Sequence, residues 1–392
     1  MFALRNIIAS LLLSFSIVSV VSADSREVSI LTCSPGDKVY ELFGHTALRV
    51  CDPDRGVDAV FNYGLFSFDE PGFIWRFVSG ETDYLLGVID FRHFMAEYEA
   101  RGSGVTEQVL RLDSLQKSNL INALVRNSLP EYRKYRYNFL YNNCTTKARD
   151  VVCGVLNDEL SYDFPSVGDT LSFRQIIHGF TRDYPWYAFG MDILLGAPAD
   201  VTAGRSGAQF APMLLKKELA GANILYNGEI VPLLMSQREL LLPQPKYHAP
   251  DNFSPFNASL LLLLFTFVVM LCEKRSKKTY LLWDVLLMGL QGVAGCILAF
   301  LVLFSQHPAV DENWLLLFLN PLPLLMLPFL IKAVRNKKTP HVMWMQVAMV
   351  VLFVLLSPLL PQYFPTPLYI CAVTLLVRSL FHIYKKNICA LD

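Results

Sequence analysis

From Ser254 onward the chain is written in apolar blocks of about 17 to 25 residues, the length a helix needs to cross roughly 30 Å of hydrocarbon. There are five, at approximately Phe256–Cys272, Thr279–Phe304, Asn313–Ile331, Val342–Leu360 and Leu368–Tyr384. Before Ser254 the pattern is shorter and mixed. Ser29–Thr32 is a short apolar run ended by the turn or helix-start signal Ser34-Pro35-Gly36. His45–Cys51, Ala59–Tyr63, Tyr84–Ile89 and Val105–Leu112 read as strands, with Asp52-Pro53-Asp54-Arg55-Gly56 as a hairpin loop between the first two of these. Asp37–Phe43 reads as a brief helix, and Phe91–Ala100 and Ser114–Ser128 as longer ones. The order predicts an α+β domain, residues 24–250, followed by a five-helix membrane domain, residues 251–392. A Pro-rich tether, Leu242 to Pro255, joins them.

The links between the apolar blocks set the orientation, because Lys and Arg stay on the cytoplasmic side. Lys274, Arg275, Lys277 and Lys278 fill the first link, and Lys332, Arg335, Lys337 and Lys338 the third. The second and fourth carry no Lys or Arg, and Lys385 and Lys386 follow the last block. The C-terminus is therefore expected inside and everything before Phe256 outside. Met1–Ala23, with Arg5, the apolar stretch Ile7–Val21 and the small-residue end Val21-Ser22-Ala23, reads as a secretory signal peptide of the same polarity. In a bacterium that means an inner-membrane protein with its N-terminal domain in the periplasm.

Composition adds one exclusion. Lys+Arg 34 equals Asp+Glu 34, so the basic excess of a nucleic-acid binder is missing. Inside the apolar blocks Asp284 and Arg378 are the main ionisable residues, both expected near an interface. A transporter or proton channel shows more. Gly289, Gly292, Gly295 and Ala299 suit close helix packing, and Pro321, Pro323 and Pro328 predict a broken third helix.

The exported part holds Cys33, Cys51, Cys144 and Cys153, for which two disulfides are the plain expectation. Cys144 and Cys153 lie nine residues apart on one helical pattern, half a turn out of phase, and cannot bridge each other. With no Cys-x-x-Cys, neither a metal nor another cofactor is expected. Ala148, Val151, Val152, Val155 and Leu156 form the buried stripe of a helix that starts near Asn143 and the two threonines after it. That puts the Cys144 thiol at a helix N-terminus, where the dipole favours a thiolate. A buried core thiol or half-cystine is the plainer reading of the same residue.

A nucleophilic thiolate needs a base, and His45 opens a strand on which such a helix packs. Cys51 is six strand residues from His45, about 20 Å. Cys33 lies only twelve residues before His45, too few for the elements that a cysteine-first papain order places between them, so it is read as a neighbour of the site or a disulfide half. Asn62 is a candidate to orient the imidazole, Tyr63 and Asn143 are possible supports, and Arg133, Lys134 and Arg136 are weak candidates for lipid head-group contact.

A histidine on a strand, about a hundred residues, then Asn-Cys at a helix start resembles the circularly permuted papain-like (NlpC/P60-type) superfamily, including the lecithin:retinol acyltransferase-like enzymes. More closely, Leu31-Thr32-Cys33-Ser34-Pro35-Gly36-Asp37, Phe43-Gly44-His45-Thr46-Ala47-Leu48-Arg49-Val50, Phe61-Asn62-Tyr63-Gly64 and Tyr141-Asn142-Asn143-Cys144-Thr145-Thr146 look like the periplasmic domain of the Lnb-type lipoprotein N-acyltransferases of Bacteroidota. That family also carries a C-terminal five-helix domain. The resemblance implies a cysteine-dependent acyltransferase with Cys144 and His45 catalytic. It implies lipoproteins as acceptors, a phospholipid or glyceride as acyl donor, and membrane lipids as surroundings. Two other classes remain open: a papain-like periplasmic hydrolase of peptidoglycan or peptides, and a non-catalytic membrane sensor or assembly factor.

Overall fold

The computed structural model describes residues 24–66, 71–156, 160–244, 253–336 and 341–389. The expected signal peptide and most of the Pro-rich tether lie outside these residues.

Seven strands form the main sheet: β1 (Glu27–Cys33), β2 (His45–Asp52), β3 (Val57–Leu65), β4 (Asp83–Asp90), β5 (Val105–Leu110), β6 (Lys134–Arg136) and β10 (Leu234–Leu241). Their order is β10-β5-β1-β2-β3-β4-β6, and every neighbouring pair is antiparallel. A smaller sheet holds β7 (Leu160–Tyr162), β8 (Ala222–Tyr226) and β9 (Glu229–Pro232). The helices of this part are α1 (Phe73–Val78), α2 (Phe91–Ala100), α3 (Ser114–Ser128), α4 (Cys144–Leu156), α5 (Phe173–Thr181), α6 (Pro185–Leu194), α7 (Gly204–Ala208) and α8 (Pro212–Ala220).

Side chains alternate across a strand, so the central strands feed two cores. Ile30, Leu48, Val50, Phe61 and Tyr63 meet Leu120 and Leu124 of α3 and Ala148, Val152 and Leu156 of α4. Leu31, Cys33, Ala47 and Val60 meet Phe94 and Tyr98 of α2 on the opposite face. Helices α2 and α3 start and stop where the sequence predicts. Asp90 caps Arg92 N, and Asp113 forms a capping box with Gln116.

Asp37–Phe43 departs from the expectation. It is a run of turns, closed by Glu41 N donating to Lys38 O at 2.7 Å and Gly44 N to Glu41 O at 2.9 Å. The reason is register: Cys33 pairs directly with His45, so the chain must return to where it left, whereas a seven-residue helix advances about 10 Å. Gly44 makes the return possible. It has φ +82°, and a Cβ there would stand 2.4 Å from Cys33 O.

Among the described residues five helices are long and apolar enough to cross a membrane. They are α9 (Pro255–Ser276), α10 (Leu281–Phe304), α11 (Leu322–Arg335, preceded by a 3-10 turn at Trp314–Leu317), α12 (His341–Leu356) and α13 (Thr366–Cys389). The third span is broken, as its prolines predict. The break packs against glycines of α10, where a Cβ on Gly295 would lie 2.2 Å from Asn320 C. A backbone opened within a membrane needs partners. Gln291 Nε2 donates to Phe318 O at 2.8 Å and Gln346 Nε2 to Gln291 Oε1 at 2.8 Å.

Asp284 and Arg378 lie towards the inward helix ends, yet both are buried and they pair with each other. Arg378 Nε donates to Asp284 Oδ1 at 2.6 Å and Nη2 to Glu273 Oε1 at 2.6 Å, while His382 Nε2 lies 2.9 Å from Asp284 Oδ2. At the other end of the bundle the inter-helix links bond to the N-terminal domain. Gln306 N donates to Ser79 O at 2.8 Å and Gly196 N to Ala309 O at 2.7 Å, and Asn313 Nδ2 reaches Ile193 O at 2.9 Å. The links without Lys or Arg thus face the domain expected outside.

Candidate active site

Helix α4 begins at Cys144 because Asn143 caps it: Asn143 Oδ1 accepts from Thr145 N and Thr146 N, both at 2.9 Å. Asn143 Nδ2 is itself held by Phe139 O at 2.8 Å and Phe210 O at 2.9 Å. Asn143 is therefore buried and fixes where the thiol stands. The stripe Ala148, Val152 and Leu156 then seats α4 on β2 and β3.

His45 is the first residue of β2, and its ring and the Cys144 side chain both border the backbone of Gly64. On its other side His45 Nε2 is 2.5 Å from Asn62 Oδ1, and the ring stacks on Tyr98 with centroids 6.4 Å apart. Because a carbonyl oxygen only accepts, Nε2 carries the hydrogen and Nδ1 is left as the basic nitrogen. Burial pushes the Cys144 thiol up, but the His45 charge, its hydrogen bond and the Thr46 backbone N–H outweigh burial and bring it to about 7. Burial pulls His45 down, and Cys144 with Asn62 raises it above its ordinary value. These are the conditions of a thiolate–imidazolium pair near neutral pH.

Cys33, Cys51 and Cys144 carry free thiols, so the two-bridge expectation does not hold. Register explains it: Cys33 and Cys51 sit at opposite ends of the β1–β2 ladder, the first paired with His45 and the second with Glu27. Cys33 is buried beside Tyr98, and burial pushes its thiol well up. Tyr63 is core, its hydroxyl accepting from Asn127 Nδ2 at 2.9 Å. Lys134 and Arg136 turn to Asp83, at 3.3 and 2.8 Å. Arg133 is exposed.

The two parts of the chain each match a family. Residues 19–179 match the Lnb N-terminal periplasmic domain, and residues 247–387 match the Lnb transmembrane domain. The chain belongs to the Lnb family. It has a periplasmic N-terminal domain and five membrane-spanning helices, and Lnb membership implies lipoprotein N-acylation and lipoprotein substrates. No curated protein and no solved structure matched the chain.

In this Lnb chain the surroundings of the thiol include residues that sequence reasoning missed. Gly64 has φ +96°, and a Cβ there would lie 3.3 Å from Cys144 Cβ, 3.9 Å from His45 Cε1 and 4.0 Å from the Tyr135 hydroxyl. Tyr135 Oη is buried and has no hydrogen-bond partner among the described residues. Tyr84 and Tyr137 stack at 4.0 Å, and burial together with the Cys144 charge pushes Tyr84 up to about 12. The signal was present in Lys134-Tyr135-Arg136-Tyr137, where period-two alternation puts both rings on one side and both bases on the other.

Gly64 therefore keeps open the space between nucleophile, base and Tyr135. For Gly64→Ala we expect a loss of stability of about 1–2 kcal/mol from the left-handed backbone. Activity should fall further, by about 10²-fold, as the thiol is displaced. Thermal unfolding beside acyl-transfer rates checks both, and normal turnover in Gly64→Ala would contradict the assigned space.

Proposed function

We propose that this chain is a cysteine-dependent lipoprotein N-acyltransferase that moves a fatty acyl chain through a Cys144 thioester. The supporting observation is the Asn62–His45–Cys144 row at a helix N-terminus, in a domain bonded to membrane helices of the Lnb family. Under this reading residues 24–250 form a permuted papain-like catalytic domain and 251–392 the membrane domain. A strand histidine preceding the helix-start cysteine supports the permuted order.

The steps follow from the groups present. His45 Nδ1 takes the Cys144 proton, and the thiolate attacks the ester carbonyl of a phospholipid or glyceride. The C–S bond forms as the ester C–O bond breaks, and His45 returns the proton to the departing alcohol. The α-amine of the lipoprotein's lipid-modified cysteine then attacks the thioester. An amide C–N bond forms, the C–S bond breaks, and His45 carries the amine proton back to the sulfur. Thr145 N and Thr146 N are occupied by Asn143 and cannot serve the oxyanion. We assign that task to Cys144 N–H and the unpartnered Tyr135 hydroxyl.

The acyl-enzyme is the test. Incubated with donor lipid and no amine acceptor, the protein should gain one acyl mass on Cys144, removable by hydroxylamine. Acyl transfer without that adduct would reject the thioester route.

The pH dependence is a second check. His45 lowers the thiol and burial raises it, so alkylation of Cys144 by iodoacetamide should rise through a midpoint near 7 in the native protein. In His45→Ala the lowering is gone while burial remains, so the midpoint moves to higher pH. An unmoved midpoint would dissociate the two residues.

A further inference from the structure

Helix α1 has an apolar side that the protein core does not use. Phe73 is buried, but Ile74 is 77% exposed, Trp75 63% and Phe77 45%. Solvent exposure of this kind within a single short helix marks a contact surface. Its place is fixed by the outer end of α10: the Trp75 ring lies 4.9 Å from Phe300, His307 Nε2 is 2.5 Å from Phe77 O, and Ser305 Oγ donates to Val78 O at 2.9 Å. The neighbouring turn of α10 exposes Leu303 and Phe304, 70% and 67%, on a helix that spans the membrane. Ile74 and Trp75 thus continue a lipid-facing surface beyond the helix end, at the level where tryptophan concentrates in membrane proteins.

The buried side of α1 leads the other way. Phe73 stacks on Phe66 at 5.8 Å, Phe66 on Tyr84 at 4.9 Å, and Tyr84 on Tyr137 at 4.0 Å. Tyr84 pairs across the ladder with Tyr135, whose hydroxyl borders the space at Gly64 beside Cys144. A continuous row of rings therefore joins the membrane-facing helix to the surroundings of the nucleophile. Rings in this arrangement offer an apolar wall to an alkyl chain, and the polar end of the row lies where an ester carbonyl must react.

Building on the acyltransferase reading, we propose that α1 dips into the outer leaflet and that the row Phe73–Phe66–Tyr84–Tyr137 guides the acyl chain of a membrane lipid to Cys144. Continuity with the lipid-facing surface of α10 selects a lipid as the occupant over a soluble peptide or a second copy of the chain.

The test uses the full-length protein in liposomes of phosphatidylethanolamine and phosphatidylglycerol without a lipopeptide acceptor, so that the acyl-enzyme accumulates. Acylation of Cys144 is read by intact mass. For Ile74→Glu/Trp75→Glu we expect acylation from the bilayer to slow by about tenfold or more, the scale of removing two apolar side chains from lipid. Acylation by water-soluble p-nitrophenyl butyrate should stay within about twofold of the unmodified protein, since the thiol and base are untouched. Equal slowing with both donors, or no slowing with either, would overturn the proposal. Independently, brominated phospholipid should quench the fluorescence that Trp75→Phe removes, and absence of quenching would also overturn it. Failure of the acyltransferase reading looks different: the unmodified protein would gain no acyl mass from either donor.

Discussion

Lipoproteins from cells whose sole copy of this chain carries Cys144→Ser are expected to keep an unacylated α-amine. Mass spectrometry of their N-terminal peptides would show the diacylglyceryl group without the additional chain. A serine hydroxyl at this position lacks what lowers the thiol to about 7, because neither the neighbouring His45 charge nor the Thr46 N–H brings an alcohol near ionisation at neutral pH. The rate should fall by at least about 10³-fold. His45→Ala should give the same phenotype by a different route, as the thiol remains but loses its base. Normal N-acylation in either variant would remove the site from the reaction.

The second large effect is expected far from the site. In Arg378→Leu, Glu273 and Asp284 would keep their carboxylates in the bundle without the guanidinium that now touches both at 2.6 Å. Removing one partner of a buried ion network costs roughly 3–5 kcal/mol, because the remaining charge stays desolvated. The variant should unfold at lower temperature in detergent and accumulate poorly in membranes. Combining it with Glu273→Gln and Asp284→Asn should recover much of the loss, since neutral amides tolerate burial better than lone carboxylates. A single variant as stable as the parent would show that Glu273 and Asp284 are not left as unpaired buried charges when the guanidinium is removed.

The membrane spans were legible because each carries its own signal over about twenty residues. Helices α2 and α3 were legible because Asp90 and Asp113 mark their starts. Asp37–Phe43 was misread because its composition permits a helix, and only the pairing of Cys33 with His45, a long-range fact, forbids one. The same limit applied to the cysteines. Register places Cys33 and Cys51 apart, whereas residue counting sees two even pairs. At the site, Cys144, His45 and Asn62 were found by residue type and helix phase, and the structure brings these three together. Gly64 and Tyr135 were missed, since a glycine has no chemistry to announce and a tyrosine becomes unusual only once burial removes its partners.

The join between the periplasmic domain and the helix bundle has a further consequence. On the domain side it runs through Gly80 and Gly196, where a Cβ would stand 2.6 Å from His307 N and 2.1 Å from Asp311 O. Three of its hydrogen bonds are between main-chain groups, Gln306 N to Ser79 O, Gly196 N to Ala309 O and Ala197 N to Glu312 O. Several others place a side chain on a main-chain carbonyl, Ser305 Oγ to Val78 O and Asn313 Nδ2 to Ile193 O among them. Contacts of that kind do not depend on which side chains the opposite surface carries. Provided both glycines are kept on the domain side, and Ser305, His307 and Asn313 on the helical side, the remaining surfaces of the two halves are free to diverge separately, the catalytic half towards new acceptors and the helical half towards a different bilayer. Chimeras exchanged between family members should then assemble more readily than their sequence differences suggest.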